Sequence, residues 1–311
     1  MFLICGEALF DVFLQNGKTS WPALDYRAIP GGSPFNVAIG VARLGQPSAL
    51  LGAVSSDFLG QQLQAVLQQE NVTTRYLLQR ALPTTLALVS LDANGHPQYA
   101  FYGDKAPEAS LTTAELPTLN EQIAGIHFGS YALVRSPTAE ALATLLQRES
   151  GQRLCTLDPN IRLNVEPDLG RWREVIEHHA GLVDLIKVSD EDLQLLYPDT
   201  DPAETARRWL SGACQLVLMT RGGDGVSVFS RQHGEWQQPA TAVSVVDTVG
   251  AGDTFQAGLL CYLAEQALAS PRGVASLSRA QIDAMVQFAT RAAALTCSRR
   301  GPDLPRRHEL D

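Results

Sequence analysis

The feature that most limits how this chain can fold is a rhythm. Short apolar runs, "SALLGAV", "GIHFGSY", "RLCTLD", "LVDLIKVS" and "CQLVLMTRG", alternate with stretches of helical period such as "FLGQQLQAVLQQE", "TAEALATLLQRE" and "PAETARRWLSGA". Strand then helix, repeated, predicts an α/β fold with a mostly parallel sheet covered by helices. In such sheets the loops at the carboxyl ends of the strands line the ligand crevice, so functional motifs are sought there. A chain of 311 residues, 45% of them hydrophobic, can bury a core of that size. No repeat, low-complexity tract or linker divides it, so residues 1–311 read as one unit.

Two segments break the rhythm. Residues 12–30 are polar and extended, and "TTLALVSLDANGHPQYAFY" reads as two strands joined by Asn94-Gly95, a strong hairpin signal. Together they predict a small β-sheet, from about 12–30 and 84–104, standing off the main body. It is either a lid over the crevice or an edge meander.

A formal net charge of −9 and a pI near 5.2 argue against a duplex-binding surface, which needs clustered Lys and Arg. The expected partner is a small molecule, with neither nucleic acid nor membrane. The opening "MFLICGEALF" is apolar, but it lacks a basic start, and Glu7 and Asp11 interrupt it. It reads as a buried first strand and not as a signal peptide or membrane span. Five widely spaced cysteines, mostly among apolar neighbours, read as free thiols of a reducing compartment, and the expected location is the cytoplasm. No His or Cys spacing resembles a zinc site. His127, in an apolar strand, reads as a core histidine, and His178-His179, in a polar stretch, as solvated.

Chemistry concentrates in "DTVGAGDTF", Asp247 to Phe255. The preceding "VSVVD" reads as a strand, "TVGAGD" as a glycine loop, and "TFQAGLLCYLAEQAL" as a long helix, which sets the loop at a helix N-terminus. Backbone N–H groups of Gly250, Ala251, Gly252 and Asp253 can converge there on an anion. An acid beside an anion hole repels the ligand unless it has work to do. Asp253 suits a general base that takes the proton of an attacking hydroxyl while the amides hold the developing phosphoryl charge. A helix cap is also consistent with this stretch taken alone. A second glycine motif, "PGGSPFNVAIGVARLG", places Gly31-Gly32 before an amphipathic helix that starts near Asn36. Paired glycines permit close approach of a polyhydroxyl ligand, and an amide both donates to and accepts from hydroxyls.

Taken in order, "GGSPFNVAIGVARLG", "LGAVSSDFLGQQL" and "DTVGAGDTFQAG" resemble the signatures of the ribokinase-like carbohydrate kinases, the phosphofructokinase B family. The resemblance runs from Gly6 to about Pro305. It implies a ribokinase-like three-layer α/β sandwich with a small β lid, and ATP-dependent phosphorylation of a sugar with Mg²⁺. By the same resemblance Asp253 matches the catalytic base and Gly250, Ala251 and Gly252 the anion hole. Asp11, Gly31, Gly32 and Asn36 match sugar-binding positions. Phe101 falls in the lid strand, and Asn160 and Arg162 of "DPNIR" look like substrate-end contacts. "KVSDEDL" and "TRGGDG" fall where the family binds nucleotide, which nominates Lys187, Ser189, Thr220, Gly222 and Gly225. Asp247 and the carbonyl of Val249, with "TCSRRGPD", match a monovalent-cation site that would take K⁺.

The chain also departs from the family pattern. Ser189 and Asp192 stand where an Asn-x-x-Glu motif is usual, so magnesium is expected to be held through water and the triphosphate. "GEALFD", "GGSPFNVA" and "DPNIR" most resemble bacterial fructokinases, but Gly103 replaces the Arg that often follows their "FY". Fructose is the expected substrate, with 2-keto-3-deoxygluconate or a riboside as alternatives. A catalytically silent sugar or nucleotide sensor is the reading from a different class. Exposed lid strands could pair between subunits, and a homodimer is expected.

Overall fold

A computed structural model describes residues 1–15, 24–91 and 97–310. In chain order the strands are β1 (Phe2–Cys5), β2 (Leu9–Leu14), β3 (Tyr26–Gly31), β4 (Ser48–Ser55), β5 (Leu77–Arg80), β6 (Leu86–Leu91), β7 (Pro97–Tyr102), β8 (Gly125–Gly129), β9 (Leu154–Asp158), β10 (Leu185–Ser189), β11 (Leu216–Thr220), β12 (Val226–Ser230) and β13 (Gly234–Gln238). The helices are α1 (Ser33–Arg43), α2 (Phe58–Gln69), α3 (Thr138–Glu149), α4 (Leu169–Ala180), α5 (Asp190–Leu196), α6 (Pro202–Trp209), α7 (Ala251–Glu265), α8 (Pro271–Ala275) and α9 (Arg279–Cys297). Each of the five apolar runs of the alternating pattern is a strand, and each stretch of helical period is a helix.

Among the described residues nine strands form one sheet in the order β13-β12-β11-β10-β9-β8-β1-β4-β5. From β11 to β5 all pairs are parallel, and β12 and β13 close one edge antiparallel. Successive residues of a strand point to opposite faces, and β1 divides its side chains accordingly. Leu3 and Cys5 join a core with Leu142 and Leu145 of α3 and Trp172 and Ile176 of α4. Phe2 and Ile4 join another with Phe35 and Val41 of α1, Leu259 of α7 and Met285 of α9. Helices on both faces of a parallel sheet bury it twice, which is why its strands read as continuous apolar runs and do not alternate.

The second sheet has four strands in the order β3-β2-β6-β7. It is the small sheet expected from residues 12–30 and 84–104, with strands that begin at Leu9 and end at Tyr102. The Asn94-Gly95 hairpin tip lies outside the described residues.

Two expectations fail. "VSVVD" forms no strand: Val245 and Val246 are 61% and 59% exposed, and the backbone N–H groups of Val246 and Asp247 donate to the carbonyl of Cys297. The β-branched residues here cover a loop surface, and no neighbouring strand completes a ladder. His179 is buried, with Nδ1 2.8 Å from the Val175 carbonyl, and burial pushes its pKa down to about 4. Only His178 of that pair is exposed, because consecutive residues of α4 lie about 100° apart on the helix. His127 is a core residue against Thr156, and burial takes its pKa to about 3. The five cysteines are free thiols, four of them buried. Among the described residues, no helix is long and apolar enough to cross a membrane.

Candidate active site

Strands β1, β8, β9, β10 and β11 end on the same side of the large sheet, and the chain segments that follow them frame one crevice. Gly250 starts α7 in the left-handed conformation, φ +80°, and a Cβ there would stand 2.9 Å from Pro302. Only glycine satisfies both conditions. Beyond it the N–H groups of Gly250, Gly252 and Asp253 have no acceptor among the described residues, whereas the Ala251 N–H donates to the Thr248 carbonyl at 3.2 Å. The expected anion hole therefore has three free donors, and Ala251 contributes to the turn instead.

Asp253, in the first turn of α7, is buried and holds two hydrogen bonds. Ser33 Oγ donates to Oδ1 at 2.6 Å and Asn36 Nδ2 to Oδ2 at 2.8 Å. Both donors come from the first turn of α1, which begins at Gly32, φ +103°, where a Cβ would collide with the Glu7 carbonyl at 2.9 Å. The double-glycine motif thus lets α1 start hard against β1 and deliver Ser33 and Asn36 to α7. Asn160, left-handed itself at φ +43°, donates from Nδ2 to Ser33 Oγ at 3.0 Å. Burial raises the pKa of Asp253, opposed by the Ser33 and Asn36 hydrogen bonds and by the nearby Lys187 ammonium.

Lys187 lies on β10 and turns inward. Its Nζ pairs with Asp158 Oδ2 at 2.8 Å, and a Cβ on Gly252 would stand 2.9 Å from that nitrogen. The lysine therefore sits beside the free amides at the start of α7. Burial works against its charge, but Asp158, with help from Asp192 and Asp253, outweighs it and holds the pKa above the usual value. Asp158 is fully buried, and among the described residues its Oδ1 has no partner; Asn160 Oδ1 likewise has none.

Ser189 caps α5 by accepting from the Asp192 N–H at 3.0 Å, and Asp192 Oδ1 accepts from the Ile161 N–H at 3.0 Å, which ties the "SDED" stretch to "DPNIR". Thr220 lies directly across from Ser189 at the ends of β11 and β10, and Gly222 and Gly225 flank the following turn, both at positive φ. These four residues lie together at the carboxyl ends of β10 and β11 and in the turn after β11.

Asp11 lies on β2 of the small sheet, its Oδ2 2.5 Å from where a Cβ of Gly31 would be. Burial raises its pKa to about 6, while Arg162 draws it down. Arg162 is exposed, donates only to the Ile161 carbonyl, and has no ion pair among the described residues, yet its charge is felt by Glu7, Asp11 and Asp192. Phe101 meets the Tyr131 ring edge-on at 6.2 Å between centroids. Asp247 bridges two loops, accepting from the N–H of Val249 at 3.1 Å and of Gly301 at 2.8 Å.

Sequence reasoning missed Ser33, Asp158, Glu7 and Glu108. Ser33 had a signal, a hydroxyl residue between a double glycine and a helix. Asp158 ends β9, Glu7 follows β1 and Glu108 lies in the short turn Pro107–Ala109, and nothing in their local sequence marks them out. A base with two fixed hydrogen bonds, free amides at a helix N-terminus and a buried lysine make a site for transferring an anionic group to a hydroxyl.

Residues 3–308 match the pfkB family carbohydrate kinases. The chain belongs to that family. It is similar to a fructokinase of Rhizobium leguminosarum bv. trifolii, 38% identical over 277 residues, which cover 89% of this chain and 84% of the relative. Its fold is similar to that of a fructokinase of Xylella fastidiosa with bound ATP, at 25% identity and TM-score 0.87 over 99% of this chain and 96% of the other. A double mutant of the Vibrio cholerae O395 fructokinase, bound to fructose, ADP and potassium ion, aligns at 26% identity and TM-score 0.85, again over 99% and 96%. The ribokinase-like three-layer arrangement, with its mostly parallel sheet and separate small sheet, is the fold of these pfkB kinases.

Proposed function

We propose that this pfkB kinase is an ATP-dependent fructokinase, which transfers the γ-phosphoryl group of ATP to a primary hydroxyl of fructose. The observation that carries the reading is the setting of Asp253: a buried carboxylate beside three free backbone donors, with its orientation fixed by Ser33 and Asn36. The acceptor hydroxyl donates to the Asp253 carboxylate. Asp253 accepts its proton as the hydroxyl oxygen attacks the γ-phosphorus. The bond from phosphorus to the bridging oxygen breaks, and ADP leaves. The amides of Gly250, Gly252 and Asp253 and the Lys187 ammonium stabilise the charge that develops on the phosphoryl oxygens. In this reading Asp11, Gly31, Gly32, Asn160, Arg162 and Phe101 hold the sugar, and Ser189, Thr220, Gly222 and Gly225 the nucleotide.

Among the described residues no three His, Cys, Asp or Glu side chains converge as a metal cage. A magnesium ion retains several waters and would be carried mainly by water and the triphosphate. The unpaired Oδ1 of Asp158, with Asp192 nearby, would receive its water shell, and the ion would spread the triphosphate charge. A potassium ion at Asp247 and the Val249 carbonyl would order the loop that precedes the free amides. The reading includes a cytoplasmic homodimer formed through the small sheet, whose edge strands β3 and β7 carry the exposed Tyr26 and Tyr102.

A second reading, 2-keto-3-deoxygluconate, is favoured by the unpaired Arg162, which could take its carboxylate. Glu7, Asp11 and Asp192 already surround that guanidinium, however, and the balance of charge favours a neutral sugar. A coupled ADP-release assay over a panel of sugars tests the choice. Fructose is expected to give the highest kcat/KM. A preference for the keto acid by more than about tenfold, about 1.4 kcal/mol, would overturn fructose while leaving the kinase reading intact.

A further inference from the structure

Both legs of the small sheet meet at one buried carboxylate. Thr85 directly precedes β6, and Glu108 lies in the short turn Pro107–Ala109 that follows β7. Glu108 Oε1 accepts from Thr85 Oγ1 at 2.6 Å and from Tyr131 Oη at 3.0 Å. Tyr131 follows β8, so a single oxygen ties the entry leg, the exit leg and the large sheet together. The Glu108 carbonyl accepts from Thr138 Oγ1 at 2.8 Å, and the same hydroxyl accepts from the Leu111 N–H at 3.0 Å, which anchors the turn to α3. Gly103 serves the same junction: a Cβ there would stand 2.8 Å from Thr85 Oγ1, so a larger residue would push that hydroxyl off Glu108.

The carboxylate is costly where it is. Glu108 is 3% exposed, burial pushes its pKa up, and Glu7, also buried and with an unpaired Oε2, repels it. An apolar residue would pack there without that cost, so the hydrogen bonds must bring something other than stability. The sheet register indicates what that is. Asp11 pairs with Ala87, and Ala87 with Phe101, so the three side chains share one face and move together if the small sheet tilts. Phe101 rests on Tyr131, and both line a cavity of about 90 Å³ together with Thr85 and Glu108.

We propose that Glu108 is a positioning residue of the kinase reaction. Through Thr85 and Tyr131 it fixes the angle of the small sheet over the crevice, and thereby the places of Asp11 and Phe101 at the acceptor. The inference rests on the reading of the small sheet as a lid over a sugar site.

The test uses the full chain with Glu108→Ala, Glu108→Gln, Thr85→Val and Tyr131→Phe. Glu108→Ala should raise KM for fructose at least about tenfold, leave KM for ATP within about twofold, and increase ATP hydrolysis in the absence of sugar. Glu108→Gln, whose amide oxygen can accept from both hydroxyls, should stay within about threefold of wild type. Thr85→Val and Tyr131→Phe should each reproduce part of the KM effect, and neither should add to Glu108→Ala. Amide hydrogen exchange in residues 86–91 and 97–102 should be faster in Glu108→Ala. An unchanged fructose KM and unchanged exchange in folded Glu108→Ala, or a Gln variant as impaired as the Ala variant, would overturn the proposal. If Glu108→Ala does not fold, wild-type behaviour of both Thr85→Val and Tyr131→Phe overturns it. If the wild type phosphorylates no sugar, the fructokinase reading fails, and exchange alone then decides for or against the latch.

Discussion

Asp158 has one hydrogen-bonding side chain among the described residues, the ammonium of Lys187 at 2.8 Å from Oδ2, and the carboxylate is fully buried with Oδ1 already unpaired. Lys187→Met removes that partner with little change of volume. Breaking a buried pair in this way costs about 3–5 kcal/mol, because it strands a charge and does not merely forfeit an attraction. For a chain of this length that corresponds to a fall in Tm of about 5–8 °C. The double variant Asp158→Leu, Lys187→Met removes both charges and should recover at least about half of the loss. Its chemistry should not recover. Lys187 is one of the groups that lower the pKa of Asp253, so its loss moves that pKa further up. A general base works ionised, and the acidic limb of the kcat profile should therefore shift to higher pH in Lys187→Met, and by less in the double variant, because Asp158 itself raises the Asp253 pKa and is removed there. Thermal melts followed by circular dichroism and a pH series of the coupled assay measure the two effects. A Tm within about 2 °C of wild type in Lys187→Met, with the limb unmoved, would refute the argument.

Three further outcomes are expected. Burial lifts the pKa of Glu7 from an ordinary 4.5 to about 7, so its stabilising contribution is whole below 4.5 and is lost as pH rises to about 7. Glu7→Gln should consequently gain about 3 kcal/mol relative to wild type across that window and hold the gain above it, as read by urea unfolding at pH 4.5, 6 and 8. Potassium should activate more than sodium through the Asp247 loop, and activity that is unchanged when choline replaces potassium at constant ionic strength would contradict this. Asp11→Ala should weaken fructose binding while leaving nucleotide binding intact, measured by calorimetric titration of each ligand.

Much of the fold was legible because a doubly covered parallel sheet needs continuous apolar strands, and "SALLGAV" or "CQLVLMTRG" cannot easily be anything else. The glycine motifs were legible for a similar reason: Gly32 and Gly250 sit at positive φ against backbone or proline, where no other residue fits. "VSVVD" misled because β propensity reflects packing against neighbours, and here the valines have none in a sheet. Asn36 was expected at the sugar and Lys187 at the nucleotide, and their side chains donate to Asp253 and Asp158. Each of these partners is distant in sequence, on α7 and on β9, and no local pattern encodes the pairing. Glu7 and Glu108 gave no signal for the same reason.

The central claim is that Asp253 removes the acceptor proton at a site whose free amides bind the transferring phosphoryl group. The most direct measurement compares wild type with Asp253→Asn in the coupled assay with fructose and ATP, alongside calorimetric ATP binding to each. The asparagine keeps the shape and the backbone donors but cannot accept the proton, so kcat is expected to fall at least about 100-fold while ATP affinity is retained. A variant that turns over fructose at a near wild-type rate would contradict the account.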